Sequence, residues 1–265
     1  MLDLFSESSI SKFFDSIYRI LRKFNPELTE VWCEPLEIDF FREFDQKEIK
    51  KFASYFAFLT LKKGNYMYYI VIDKLLFIIQ SLKYLQLDIS FLSTLLDYKG
   101  FEALVKLILN ESNYYTLKNY RFSDKSNFQS KTKQSNYEID VVGIDQKMLL
   151  IIDCKQWKRK DSYGAMNKAA NLQLRRALAL KKNPEIFSEM LRELVGINKL
   201  QNLKPPFLLV PLMVTLENNW ININEKSIPI VSIHRFNSFL QELDDNLSHF
   251  KVVKINKIPV QKQLS

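Results

Sequence analysis

In SISKFFDSIYRILRKF, residues 9–24, the apolar positions Ile10, Phe13, Phe14, Ile17, Ile20 and Leu21 recur at the three- and four-residue spacing of one helix face. Asn25-Pro26 ends that helix, because proline has no amide to continue it. The same period predicts a helix across QKEIKKFASYFAFLTLKK, residues 46–63, and another over the apolar run 66–87, with Gly64-Asn65 as the turn between them. Phenylalanine and tyrosine crowd these segments, and a stripe at helical period faces a core more often than a ligand. The first 97 residues are therefore expected to form an all-helical domain packed on aromatic side chains.

From Asp97 the texture changes. YKGFEALVKLILNE, residues 98–111, reads as an amphipathic helix. A strand follows around YYTLKNYRF, residues 114–122, and then the polar loop SDKSNFQSKTKQSN, residues 123–136. Two apolar runs in EIDVVGIDQKMLLIIDCKQWKR, residues 138–159, flank the turn Ile144-Asp145-Gln146-Lys147 and predict an antiparallel hairpin. A long helix is expected over 163–182, with Ala165, Ala169, Leu172, Ala177 and Leu180 packing on the sheet, and Asn183-Pro184 opens another helix. FLLVPLMVTL (207–216) and IPIVSI (228–233) have strand length, HRFNSFLQEL (234–243) closes as a helix, and the basic end KVVKINKIPVQKQLS predicts a short strand and a tail. The sum is an α/β domain over 98–265, a mixed sheet flanked by helices.

Length and composition set the frame for this pattern. A chain of 265 residues suits one large domain or two modest ones, at roughly 100–200 residues each. Its 47% hydrophobic and 26% charged residues are ordinary for a globular protein. Cys33 and Cys154 make no paired spacing, so neither a disulfide framework nor a cysteine metal cluster is expected, and a reducing cytoplasmic setting is. The first residues, MLDLFSESS, lack the basic and apolar regions of a secretory leader. The most lipid-like run, YMYYIVIDKLLFIIQSL, is interrupted by Asp73 and Lys74, and no membrane span is expected.

The net charge of +8 is unevenly distributed. Residues 1–98 hold 12 Lys and Arg against 14 Asp and Glu, whereas residues 99–265 hold 26 against 16. The basic surplus belongs to the second part and suits a polyanionic partner. Five scattered glycines form neither a phosphate-binding loop nor a dinucleotide fingerprint, and His234 and His249 are too few for a histidine-rich zinc site.

The candidate chemistry lies in the hairpin. Along a strand the side chains alternate, so Asp153 and Lys155 share a face while Cys154, Ile152 and Leu150 take the other. On the paired strand Glu138, Asp140 and Val142 share a face, and a hairpin register that sets Asp140 near Asp153 converges two carboxylates and an ammonium. Carboxylates that close repel unless a cation sits between them, and a hard divalent ion, Mg²⁺ or Mn²⁺, is the natural one. Such an ion acidifies water and stabilises charge on a phosphate, which is the chemistry of phosphodiester hydrolysis.

Asp140, twelve residues, and then Asp153-Cys154-Lys155 on adjoining strands resembles the PD-(D/E)xK nuclease superfamily. GFEALVKLILNE resembles the opening helix of Mrr-type restriction endonucleases and archaeal Holliday-junction resolvases, and Gln156-Trp157 after the lysine is similar to the Mrr-type pattern. The resemblance covers residues 98 to about 243. It departs from the superfamily in having Asp153 where glutamate is commoner, and Tyr137-Glu138-Ile139 where a proline usually stands. It implies a restriction endonuclease-like fold, with Asp140, Asp153 and the carbonyl of Cys154 as metal ligands and Lys155 beside the attacking water. It also implies that Glu102 serves the ion's water shell or a second ion, and that Gln156 orients the site. The competing reading is that the two acids are strand-end groups in a salt bridge with Lys155.

Downstream, Lys158, Arg159, Lys160, Lys168, Arg175, Arg176, Lys181 and Lys182 stand against one acid, Asp161. That density fits a track for nucleic-acid phosphates, with Trp157 and Tyr163 as stacking candidates, or else a solvated helix face. The expected activity is a Mg²⁺- or Mn²⁺-dependent endonuclease of restriction or repair type, acting on DNA with RNA as the alternative substrate. The competing function is a nucleic-acid-binding or structural protein that keeps the fold and does not cut. The first 97 residues are expected to serve recognition or assembly, with a homodimer as the simplest assembly.

Overall fold

The computed structural model describes residues 5–85, 89–124, 136–156, 163–216 and 222–257. Its chain divides into two units, Met1–Leu104 and Val105–Ser265. The division falls inside one helix, Tyr98–Glu111, rather than at the expected boundary of 97 and 98.

The first unit opens with α1 (Glu7–Leu21), whose N-terminus is capped by the Ser6 side chain accepting the Ser9 amide. All six apolar positions read from the sequence are buried on this helix. Phe13 lies among the rings of Phe14, Phe40, Phe41, Phe52, Phe56 and Phe58 at centroid distances of 4.8–6.0 Å. The aromatic residues are thus packed as a core.

The rest of this unit corrects the all-helical expectation. β1 (Glu30–Cys33) follows α1, and α2 (Gln46–Ala53) ends ten residues before the helix expected over 46–63. Then come β2 (Leu59–Lys63), β3 (Tyr68–Asp73), α3 (Lys74–Leu85) and the short α4 (Ile89–Leu92). The strands form an antiparallel sheet in the order β1-β3-β2. The physical cause is a change of period: burial at Ile49, Phe52 and Ala53 follows a helix, but from Leu59 the inward positions alternate. In β3 the run Ile70-Val71-Ile72 is β-branched and suits a pleated, buried surface. Gly64-Asn65 is therefore a hairpin tip rather than an interhelical break, closed by the Gly64 amide donating to the Met67 carbonyl at 2.8 Å. A Cβ at position 64 would lie 2.8 Å from the Tyr69 ring, which is why glycine fits there.

Lys74, at the start of α3, is fully buried, with Nζ donating to the carbonyls of Asn25 at 2.9 Å and Leu95 at 3.2 Å. Burial pulls its pKa below the ordinary lysine value, although the nearby Asp97 opposes that shift. The ammonium ties three separate segments of the unit together.

The second unit contains the carboxyl half of α5 (Tyr98–Glu111) and then β4 (Tyr115–Ser123), β5 (Asn136–Asp145) and β6 (Met148–Lys155). These are followed by α6 (Tyr163–Lys182), α7 (Pro184–Val195), α8 (Ile197–Leu200), β7 (Phe207–Thr215), β8 (Ile230–Ser232), α9 (Phe236–Asn246) and β9 (Val253–Ile255). The strand order is β4-β5-β6-β7-β8, with β9 also paired to β7. β4, β5 and β6 run antiparallel, β7 lies parallel to β6, and β8 lies parallel to β7. The expected mixed sheet flanked by helices is what the chain forms. The expected hairpin is also present, turning at Gln146-Lys147 with Gln146 at φ 49°.

The core on one face of this sheet takes Leu149 and Ile151 from β6, Val142 and Ile144 from β5, and Met166, Ala170, Leu174, Ala177 and Leu180 from α6. On the other face, Gly143 leaves room for α5, since a Cβ there would come within 3.1 Å of Leu109 Cδ1. The buried side of α6 differs from the expected one. Ala165 is exposed and Ala169 and Leu172 only half-buried, while Met166, Ala170 and Gln173 face inward. The inward stripe is displaced by one residue in the first half of the helix, with Met166, Ala170 and Gln173 inward, whereas Ala177 and Leu180 are buried as expected. Among the described residues no helix is long and apolar enough to cross a membrane.

Candidate functional site

The site lies where β5 and β6 end their pairing. The last backbone pair is Val141 with Ile152, and beyond it the Asp140 carboxylate takes over, Oδ2 accepting the Cys154 amide at 2.8 Å. A break in β5 makes this possible. Ile139 and Val142, three residues apart, both enter the same core, so alternation is interrupted between them. On β4 the opposing Asn119 is in the left-handed region at φ 55°, and the residues on either side of it, Lys118 and Tyr120, pair with Val141 and Ile139. The expected shared face of Glu138, Asp140 and Val142 is thereby corrected. Asp140 reaches sideways to the β6 backbone, and Glu138 pairs instead with Arg121 at 3.0 Å on the surface.

β6 keeps its regular alternation. Asp153 and Lys155 share the face of Leu149 and Ile151, which α6 covers, and Cys154 is fully buried. Lys155 Nζ is 3.0 Å from Asp153 Oδ2, and Arg176 Nη1 donates to Asp153 Oδ1 at 2.7 Å. The Lys155 contact is an ion pair without hydrogen-bond alignment, since Oδ2 receives no hydrogen bond. Asp153 is 2% exposed and Arg176 9%, so this is a buried pair, and removing one partner of such a pair costs about 3–5 kcal/mol.

Arg176 is a correction to the phosphate track, because its guanidinium is held inside against Asp153 rather than presented to solvent. A charged group on the apolar side of a helix requires a buried partner, and Asp153 is the one within reach. Lys168 and Arg175, by contrast, are exposed on α6, as are Lys181 and Lys182. Lys158, Arg159, Lys160 and Trp157 lie outside the described residues. Gln156 follows β6 half-buried, and Glu102 is buried on α5 in the first unit.

The sequence reading did not single out Gln173. It is fully buried one turn before Arg176, and neither Oε1 nor Nε2 makes a hydrogen bond. The signal was a polar amide on the stripe Met166, Ala170, Gln173, Ala177, Leu180.

Among the described residues no group of three or more His, Cys, Asp and Glu side chains is arranged to hold a metal. A magnesium ion needs less than that, because it keeps several waters and uses one or two carboxylates with substrate phosphates. Asp140 and Asp153 come from adjacent strands to one end of the β5–β6 pair, and the buried Asp153 Oδ2 has no hydrogen bond, so the donors present fit such an ion. Two carboxylates stand against two cations, Lys155 and Arg176.

No protein-family model matches the chain, and no curated protein matches it significantly. Among solved structures, the crystal structure of protein VC1899 from Vibrio cholerae aligns with 92% of this chain and 53% of its own, at 12% identity and a TM-score of 0.31. The chain thus spans about half the length of that protein, and at that TM-score the likeness carries no argument.

Proposed function

We propose that this protein is a metal-dependent nuclease of the PD-(D/E)xK type that hydrolyses phosphodiester bonds, with DNA as its substrate. The observation that carries the reading is that Asp140, Asp153 and Lys155 all stand where β5 and β6 separate: one carboxylate on the amide of Cys154, the other 3.0 Å from the Lys155 ammonium. The succession of α5, three antiparallel strands, α6 and a strand parallel to β6 supports a restriction endonuclease-like core.

When bound, Mg²⁺ or Mn²⁺ supplies positive charge to the phosphate and acidifies water. Asp140 and Asp153 are the residues that would hold it. Lys155, whose side chain is 29% exposed, holds its ammonium beside Asp153, where it would meet a phosphate oxygen or a water. Asp140 is held by the Cys154 amide, which donates to its Oδ2 at 2.8 Å. Exposed Lys168 and Arg175 on α6 give the backbone of the polymer a place to lie. Cys33 and Cys154 are buried and outside any disulfide, which suits a reducing cytoplasm.

One observation favours a second reading. Asp153 is already neutralised by Arg176 and Lys155, an arrangement that also suits a nucleic-acid-binding or structural protein which retains the fold without cutting. Incubating the purified chain with Mn²⁺ and labelled duplex, single-stranded and branched DNA, with RNA alongside, separates the two. Cleavage of any of these is expected, and binding without cleavage at every metal concentration would support the second reading.

A further inference from the structure

Arg176 and Gln173 form a pair on the inner side of α6 that the proposed chemistry does not use. They are three residues apart, one turn of the same helix, and both are buried. A long helical side chain leans back over the turn before it, which carries the arginine stem toward Gln173. Nη1 is bonded to Asp153, but Nε makes no hydrogen bond, nor does either amide atom of Gln173. Buried polar groups left in this state are destabilising, and native structures keep few of them.

The charges around Asp153 indicate what they are for. If the carboxylates take a divalent ion, as the nuclease reading requires, the two resident cations are repelled from the same place. Lys155 can swing to solvent, its side chain being 29% exposed. The Arg176 side chain, at 11%, needs an acceptor inside the fold. Gln173 Oε1 is an acceptor with no current partner on the adjoining turn.

We propose that Arg176 is a positioning residue with two stations: on Asp153 it serves as the counter-cation of the metal-free site, and on Gln173 it is parked when a divalent cation binds. The inference rests on the nuclease reading. Its consequence is that metal affinity is set partly by the strength of the Asp153–Arg176 bond, which keeps Asp153 neutralised and oriented until an ion displaces it.

Calorimetric titration of the full chain with Mn²⁺, without nucleic acid, tests this. Arg176→Gln removes the competing cation and is expected to bind Mn²⁺ at least about tenfold tighter than the unmodified protein, the equivalent of one charged hydrogen bond. Gln173→Leu removes the second station and is expected to bind severalfold more weakly while melting at the same temperature or higher. Should Arg176→Gln fail to fold, Arg176→Lys keeps a charge with a weaker hold on the carboxylate and should also bind more tightly. If the unmodified protein binds Mn²⁺ but the arginine variants bind equally or more weakly, the two-station account is wrong and the metal site stands. If Mn²⁺ binds to none of them, both this inference and the nuclease reading fall.

Discussion

Asp140 has a structural task that its charge does not require. Its carboxylate replaces a ladder bond for the buried Cys154 amide, so Asp140→Ala leaves that amide without an acceptor and should lower stability by about 1–3 kcal/mol. Asp140→Asn keeps a carbonyl oxygen in the same place, and urea denaturation should find most of the stability retained. The type of residue at this position was legible from its spacing to Asp153-Cys154-Lys155, but its direction was not. The break in β5 that turns it sideways lies opposite Asn119, at the one position the β4–β5 register skips, a juxtaposition that a linear reading does not contain. A second residue-scale expectation concerns the thiols. Burial, with Glu37 adding to it, pushes Cys33 up to about 12, and burial likewise pushes Tyr114 up to about 12. Both groups hold their protons longer in the folded chain than in the unfolded one. Their contribution to stability is complete below about pH 9 for the thiol and about pH 10 for the phenol, and is lost as pH rises toward 12. Chemical unfolding followed from pH 8 to 11 should show stability falling above pH 9, with a shallower fall in Cys33→Ala; an unchanged slope would contradict the assignment. Neither Cys33 nor Cys154 should react with a thiol reagent before unfolding.

At the scale of elements, the second unit followed its sequence closely because its strands alternate or run apolar for strand length and its helices are bounded by Asn183-Pro184 and similar signals. The first unit did not, because FASYFAFLTL satisfies a helical count through phenylalanines that in fact lie in a helix end, Phe52, and in the connection after it, Phe56 and Phe58, before the strand that starts at Leu59. Density of aromatics hid the change of period. The same density makes the core sensitive at its centre. Phe13 has six aromatic neighbours among the described residues, so Phe13→Ala is expected to cost about 3–5 kcal/mol in denaturant unfolding, whereas replacing the exposed Trp32 should cost far less. The basic residues of α6 suit a phosphate track by their density in the sequence, but the helix divides them: Lys168 and Arg175 outward, Arg176 inward. A one-residue rotation decides whether a cation meets solvent or a buried carboxylate, and composition alone does not fix that rotation.

For the whole molecule, the uneven charge remains the guide to partners. The basic surplus lies in residues 99–265, with 26 Lys and Arg against 16 Asp and Glu, and binding to duplex DNA is expected to weaken with salt at a logarithmic slope of about −0.9 for each phosphate neutralised. A flat dependence would return those lysines to the solvent. Cutting both strands of a duplex calls for two sites, and a homodimer is the simplest way to provide them; light scattering at micromolar concentration should find twice the mass of one chain, 31.4 kDa. The central claim is that Asp140, Asp153 and Lys155 act together on a phosphodiester bond. Its most direct test is the cleavage of labelled DNA in Mn²⁺ by the unmodified protein, Asp153→Asn and Lys155→Ala, with binding of the same DNA measured in parallel. The account predicts that the unmodified chain cuts and that both variants bind comparably but lose cleavage by about a hundredfold or more, as expected when a group acting at the reacting centre is removed. Cleavage by Asp153→Asn at the rate of the unmodified chain would contradict it.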